Sequence, residues 1–154
     1  MAQAPPSPPP GARTSTLVHR VAFYETDAMG IVHHANYLRF FENARVIWLE
    51  EHDRPYTEYI EANLHFAVTS LQVDYTSSAR FDERLDITTW AEWVGGASLH
   101  MAYRVSSGDE LKVSGRTEHA AVDDTGRVRR IPRERRENLR LAAVQQSPSE
   151  HPRR

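Results

Sequence analysis

The sequence predicts an α+β fold in which a curved antiparallel sheet of five to six strands wraps one long helix. One stretch, residues 36–53, carries apolar residues at helical spacing, and nearly everything from 64 to 122 alternates between apolar and polar residues. No second long apolar helix is present in the sequence. The sheet must therefore cover the sides of the first helix.

The first strand is predicted over residues 16–23, because Leu17, His19, Val21 and Phe23 alternate with polar residues. The helix follows, with apolar residues that recur every three or four positions and share one face: Tyr37, Phe40, Phe41, Ala44, Ile47 and Trp48. Pro55 disfavours helix at the residue before it and helps to end this element. A polar turn is expected over 56–63.

A second strand is predicted from 64 to 75, with a slip in the alternation near Thr69 and Ser70 that is typical of a β-bulge. Three more strands follow near 85–93, 99–105 and 111–122, and Gly95-Gly96 indicates a hairpin turn between the first two. A short sixth strand is expected at 127–131. Pro132 then favours the start of a terminal helix over 133–142.

Composition limits the protein to one domain of ordinary globular character. Hydrophobic residues make up 40% and charged residues 26%, and the net charge of −2 argues against a dedicated nucleic-acid binder. The absence of cysteine excludes disulfides, thiolate zinc sites and cysteine nucleophiles. No apolar run is long enough to span a bilayer and no signal peptide is recognisable, so a cytoplasmic location is expected.

Both ends of the chain differ from the middle in composition. Residues 1–15 contain five prolines among small residues and predict a disordered leader. Residues 144–154 predict a disordered tail. The folded domain is expected over 16–143.

Residues 27–37 are the most informative segment, because an acid, a glycine and a histidine come directly before the apolar helix. Asp27 and His34 would lie beside the helix N-terminus, whose first backbone N–H groups lack partners within the helix. A proton acceptor, an imidazole and free N–H donors can hydrolyse an ester or thioester without a serine or cysteine nucleophile. A metal pair at His33 and His34 is disfavoured, since adjacent side chains do not converge on one ion and no third ligand is near.

The order of elements and the pattern D-x-x-G-x-V-x-H-x-x-Y resemble the hotdog-fold acyl-CoA thioesterases. The most similar group is the 4-hydroxybenzoyl-CoA thioesterase family, including its Tol–Pal-associated bacterial branch. The resemblance covers about residues 17–140 and includes the segment 79–83 before the third strand. It rests at the motif on Asp27, Gly30, Val32, His34, Asn36 and Tyr37. It implies a hotdog fold and hydrolysis of an acyl-CoA thioester to free acid and coenzyme A, without metal or bound cofactor.

The resemblance also assigns roles to residues of the motif. It makes Asp27 the catalytic carboxylate, either as general base on water or as nucleophile on the thioester carbonyl. The backbone N–H of His34 would be an oxyanion donor at the positive end of the helix dipole, and its imidazole could polarise the carbonyl or orient water. Gly30 would permit the close turn between the acid and the helix. Tyr37 is expected to contact substrate.

One departure from the family's pattern concerns a tyrosine that some members carry four residues before the acid. This chain has Phe23 at that position. Tyr24 is one residue off and would point to the opposite face of a strand. No catalytic role is therefore assigned to Tyr24.

Arg127, Arg129 and Arg130 belong to an arginine-rich segment near the end of the predicted domain. Coenzyme A carries three phosphate groups, which arginine binds well, so these three residues are candidate substrate ligands. The alternative is an ordinary solvated surface.

Hotdog proteins that resemble this chain work as dimers or dimers of dimers with active sites at the interface, so a homodimer or homotetramer is expected. Neither nucleic acid nor membrane is an expected partner. Two alternatives to an acyl-CoA hydrolase remain: a thioesterase for acyl carrier protein, and a non-catalytic acyl-CoA-binding module. Asp27 argues against the second alternative, because a binding module needs no base beside a thioester.

Overall fold

The structure, a computed structural model, describes residues 3–143 and confirms the predicted α+β arrangement. In chain order the elements are β1 Ser15–Arg20, α1 Asn36–His52, α2 Tyr56–Glu61, β2 His65–Tyr75, β3 Arg84–Val94, β4 Ser98–Ser107, β5 Glu110–Val122 and α3 Arg133–Ala142. A 3-10 turn, Phe23–Glu25, lies between β1 and α1. One antiparallel sheet in the order β1-β3-β4-β5-β2 curves around the long helix α1.

The close approach of α1 to the sheet depends on one glycine. The ring of Phe41 stacks on Tyr103 of β4 with the ring centroids 4.3 Å apart. Next to it, a Cβ on Gly115 of β5 would lie 2.6 Å from Phe41 Cε2, which is closer than real atoms approach. Only glycine therefore lets the helix pack at this depth. The apolar face predicted from spacing is the face that is buried.

Three predicted elements differ from the structure. The first strand ends at Arg20 rather than 23, because Phe23 opens the 3-10 turn and is 76% exposed. The predicted polar turn contains the helix α2, which Pro55 precedes and which buries Tyr59. The predicted sixth strand is absent from the described part of the chain, where Val128 forms only an isolated bridge with Val122. The bulge in β2 is confirmed at Thr69, where the register shifts.

Two backbone carbonyl groups of the predicted leader accept hydrogen bonds from the domain. Residues 3–14 form neither helix nor strand. Arg104 of β4 donates from Nη1 to the carbonyl oxygen of Pro6 at 2.9 Å, and the indole of Trp48 donates to the carbonyl oxygen of Arg13 at 2.9 Å. The domain limits stay a prediction, and the predicted tail at 144–154 lies outside the described residues. None of the helices within 3–143 is long and apolar enough to cross a membrane.

Candidate active site

The loop that carries Asp27 is a tight hairpin between the 3-10 turn and α1. The backbone N–H of Asp27 donates to Ile31 O at 2.9 Å, and Gly30 N–H donates back to Asp27 O at 2.9 Å. Gly30 has φ +76°, so the predicted need for glycine at this turn is confirmed. Met29 N–H donates to Asp27 Oδ1 at 2.9 Å, which fixes one carboxylate oxygen. No donor contacts the second oxygen, Oδ2, among residues 3–143.

Asp27, His34 and Tyr37 line one cavity of about 270 Å³ at the N-terminus of α1. The opposite wall comes from Tyr75 at the end of β2 and from the polar residues that follow it. The lining residues are Asp27, Met29, Ile31, Val32, His34, Tyr37, Tyr75, Thr76, Ser77 and Ser78. The structure thus brings the predicted acid, histidine and tyrosine together around a space that a small group can enter.

The backbone of His34 is held from the far wall of this cavity. The hydroxyl of Tyr75 donates to His34 O at 2.9 Å. The His34 imidazole is exposed and stacks on the ring of His33, with the centroids 4.2 Å apart. Within the described chain, no acceptor is recorded for the His34 backbone N–H, two residues before the start of α1. That N–H and the helix dipole together form a position suited to a developing oxyanion.

Glu25 holds the loop in place, and sequence reasoning missed it. Its buried carboxylate accepts a hydrogen bond from Ala22 N–H and contacts His19 Nε2, both at 2.7 Å. Its backbone carbonyl accepts from His33 N–H at 2.9 Å and from Asn36 Nδ2 at 2.8 Å. Glu25 therefore links β1, the loop and the first turn of α1. The one sequence signal was an acid two positions before Asp27, which resembles any surface acid.

Tyr37 is buried in the wall of the cavity. Burial raises the pKa of Tyr37 to about 12, so the phenol stays protonated at neutral pH. Its ring packs edge-on against Phe40 and Tyr75. Tyr37 can therefore shape the cavity but cannot accept a proton there as a phenolate. Tyr24, which received no role, is 85% exposed and is not among the lining residues.

The three predicted arginines lie away from the cavity within one chain. Arg129 Nη1 donates to the carbonyl oxygens of Ala62 and Asn63, just before β2 begins at His65. The cavity is at the other end of β2, which is 11 residues long, so the separation is about 30 Å at ~3.3 Å per residue. The structure brings Asp27, His34 and Tyr37 together around the cavity and places Gly30 in the turn beside Asp27, outside the lining. The arginines lie apart from them.

Within residues 3–143, no group of three or more histidine or acidic side chains is arranged to hold an ion.

The hydrogen bond from Tyr75 to His34 predicts a measurable effect on turnover. Tyr75→Phe removes the bond and keeps the ring contact with Tyr37, so kcat should fall about 2- to 5-fold, in line with ~0.5–1 kcal/mol for one exposed hydrogen bond. Steady-state kinetics would measure it. Tyr24→Phe is the matched control and should leave kcat unchanged. Wild-type kcat in Tyr75→Phe would mean that this bond does not position His34.

Comparisons with known proteins agree on one family. A sequence model of the Thioesterase superfamily matches residues 29–114. A putative esterase of Aquifex aeolicus is 32% identical over 75% of this chain and 89% of its own length, and the acyl-CoA thioesterase YbgC of Haemophilus influenzae is 35% identical over 73% and 82%. The crystal structure of a hypothetical protein from Thermus thermophilus superposes with a TM-score of 0.81 at 30% identity, over 85% of this chain and 98% of that one. These likenesses confirm the predicted hotdog fold.

Proposed function

The chain belongs to the thioesterase superfamily, and on this premise we propose that it hydrolyses an acyl-CoA thioester to the free acid and coenzyme A beside Asp27. The observation that carries the proposal is the cavity shared by Asp27 and His34 at the start of α1. A carboxylate and an oxyanion position on one small space are the groups that acyl transfer to water requires. The Haemophilus influenzae relative is named an acyl-CoA thioesterase, which supports acyl-CoA as the substrate.

The proposed chemistry follows from these two groups. The thioester carbonyl oxygen accepts a hydrogen bond from His34 N–H, which stabilises the negative charge as the carbon becomes tetrahedral. In one route Asp27 removes a proton from water while the water oxygen adds to the carbonyl carbon. The tetrahedral intermediate then collapses, the carbon–sulfur bond breaks, and coenzyme A leaves as a thiolate that takes up the proton.

In the second route Asp27 itself adds to the carbonyl carbon. The tetrahedral intermediate collapses, the carbon–sulfur bond breaks, and coenzyme A leaves as a thiolate, which forms a mixed anhydride between the acyl group and Asp27. Water then hydrolyses the anhydride to the acid and free Asp27, and a proton from this water goes to the thiolate. A single turnover in ¹⁸O-labelled water detects the second route where water attacks the anhydride at the carbonyl carbon of Asp27. Label on Asp27 after one turnover identifies a nucleophile, whereas the general-base route puts the label only in the product acid.

The substrate class is tested by assaying thiol release with acyl-CoA, the matching acyl-pantetheine and the matching acyl carrier protein. The proposal expects turnover of acyl-CoA with the highest kcat/KM. If only the thioester of acyl carrier protein is turned over, acyl carrier protein rather than coenzyme A carries the acyl group of the substrate. Binding of acyl-CoA without thiol release would make the protein a binding module.

We further propose that the chain forms a homodimer through the free edge of β2. This edge strand is 11 residues long and exposes Val68, Leu71 and Tyr75. Leu38 of α1 and the two aliphatic residues border a second cavity of about 250 Å³ there. Long unpaired edges with exposed apolar residues favour pairing with another strand.

The dimer predicts a mass of two chains by light scattering at micromolar concentration. Leu71→Lys should lower this mass toward one chain, because a charge on the edge opposes strand pairing. Val18→Lys on β1, the opposite edge of the sheet, is the matched control for an exposed aliphatic residue. A wild-type monomer would contradict the proposed interface.

Such a dimer also offers a role to the predicted arginines. A two-fold axis across the β2 edges pairs the strands antiparallel, so the His65 end of one copy comes beside the Tyr75 end of the other. The arginine segment of the second copy then approaches this chain's cavity. Phosphate binding by Arg127 and Arg130 is proposed on this arrangement, since neither forms a recorded ion pair within residues 3–143.

Replacing Arg127 and Arg130 with glutamine should raise KM for acyl-CoA and leave kcat unchanged. Phosphate contacts act equally on the ground state and the transition state, so they change binding alone. Acyl-pantetheine, which lacks the nucleotide, is the control substrate and should be turned over equally well by the variant. A wild-type KM for acyl-CoA at low salt would show that phosphate recognition lies elsewhere.

A further inference from the structure

Three residues on the outer face of the sheet are completely buried although they lie outside the core around α1. Trp90 of β3 and its register partner Ala102 of β4 have no exposed surface, and neither belongs to the core cluster. Side chains alternate along a strand, so Trp90 points away from the core residue Ala91. Ser114 of β5 is equally buried, and it follows the core residue Val113, so it points to the outer face. We call Trp90, Ala102 and Ser114 the outer patch.

The segment that reaches this face is the proline-rich leader. Arg104 pairs with Ser114 in the β4–β5 ladder and follows Ala102 by two residues, so it lies on the same face. Its Nη1 donates to Pro6 O at 2.9 Å and to Ser7 Oγ at 3.3 Å. Pro6 is itself buried. The leader therefore meets the sheet directly beside the outer patch.

The leader suits this position chemically. Proline-rich segments favour the polyproline II conformation, which forms no internal hydrogen bonds and leaves its carbonyl oxygens free to accept from a side chain such as Arg104. Such segments also dock on aromatic surfaces at low entropic cost, because proline restricts the unbound chain. Trp90 is an aromatic side chain on this same face of the sheet, and Arg104 supplies the donor.

We propose that residues 3–10 are a strap that covers the outer patch and keeps it from packing against the same patch of a second copy. An uncovered sheet face packs against another sheet at a spacing of about 10 Å, and one tryptophan contributes about 150–250 Å² to such a contact. A tethered segment competes at an effective concentration in the millimolar range, whereas a second copy competes at its own micromolar concentration. The strap therefore excludes the second copy.

This surface is separate from the edge of β2. The outer patch lies on β3, β4 and β5, on the face opposite to α1, and its association would join whole assemblies face to face. The strap would then limit the number of chains in the assembly, and it would have no part in forming the dimer at the β2 edge. The prediction does not depend on whether the chain hydrolyses a thioester.

The test compares the full chain with a variant that lacks residues 2–10. The deletion retains Arg13, whose backbone binds the Trp48 indole and the carbonyl of Ala142, so the contacts of that residue remain. Acrylamide quenching of tryptophan fluorescence should increase in the deleted chain at low concentration. At high concentration its mass by light scattering should be twofold that of the full chain, because identical faces pair in a closed two-fold contact.

Two further variants make the result specific. In a Trp90→Phe background the difference in quenching between full and deleted chains should disappear, which assigns the signal to Trp90 rather than Trp48 or Trp93. Arg104→Met in the full chain removes the donors to Pro6 and Ser7 and should increase quenching without any deletion. Unchanged quenching in both the deleted and Arg104→Met chains overturns the proposal. A deleted chain that keeps the full-chain mass at high concentration also overturns it.

Discussion

Replacing Asp27 with asparagine is expected to lower kcat for acyl-CoA by about 10²- to 10⁴-fold, the usual contribution of a positioned general base. The amide is nearly isosteric and can still accept the Met29 N–H through its oxygen, so the loop should keep its shape. Because an amide is neither a base nor a competent nucleophile, both proposed routes lose their reacting group. Steady-state thiol release, with circular dichroism to check the fold, would measure the effect.

His34→Ala is the comparison that separates backbone from side chain at the same cavity. If the His34 N–H is the main oxyanion donor, the alanine variant keeps it and should lose less activity than Asp27→Asn. An equal loss in both variants would make the imidazole an obligatory partner of the acid. Asp27→Asn activity within a few-fold of wild type would remove Asp27 from the mechanism.

Phe41→Ala is expected to lower the free energy of unfolding by about 3–5 kcal/mol, as for other large buried aromatic residues. Phe41 is buried where α1 touches the sheet and stacks on Tyr103. Its loss leaves a cavity between the helix and β5 that neighbouring backbone cannot fill. Urea denaturation with an unchanged m-value would measure the effect.

A double-mutant cycle with Gly115 tests whether this contact has the stated cause. Gly115→Ala alone should destabilise by about 1–3 kcal/mol through overpacking, because its Cβ meets Phe41 and the backbone oxygen of Gln72. In the Phe41→Ala background part of that clash is gone. The double mutant should therefore be destabilised by less than the sum of the two single mutants. Strict additivity would mean that the glycine and the ring do not constrain each other.

The parts of the fold that follow from local pattern were predictable from sequence. The spacing of Phe41 and Trp48 on one face predicted α1, and the change of phase at Thr69 predicted the bulge in β2. The helix α2 was not predictable in this way, because it is only six residues long and buries only Tyr59. So short a helix is stabilised by tertiary packing rather than by propensity.

The candidate site likewise contains residues that are neighbours in sequence and residues that only the fold brings together. Asp27, Gly30 and His34 are close in sequence, so the motif alone indicated that they act together. Tyr75 contacts His34 across 41 residues of chain, and only the register of the sheet reveals that contact.

The position of the arginine segment relative to Asp27 could not be predicted from the sequence. Its charge was visible in the sequence, but its distance from Asp27 depends on the length of β2, at whose far end the segment lies. A sequence pattern identifies residues that can bind phosphate, but it does not give their positions in the folded chain.

Counting the thiols released per protein molecule shows whether this chain catalyses thioester hydrolysis. Acyl-CoA in large molar excess is incubated with the full chain, and free coenzyme A and free acid are both quantified. We expect many equivalents of coenzyme A per chain, an equal amount of acid, and loss of this release in Asp27→Asn. Release no faster than the uncatalysed rate, together with one equivalent of intact acyl-CoA bound per chain, would contradict it.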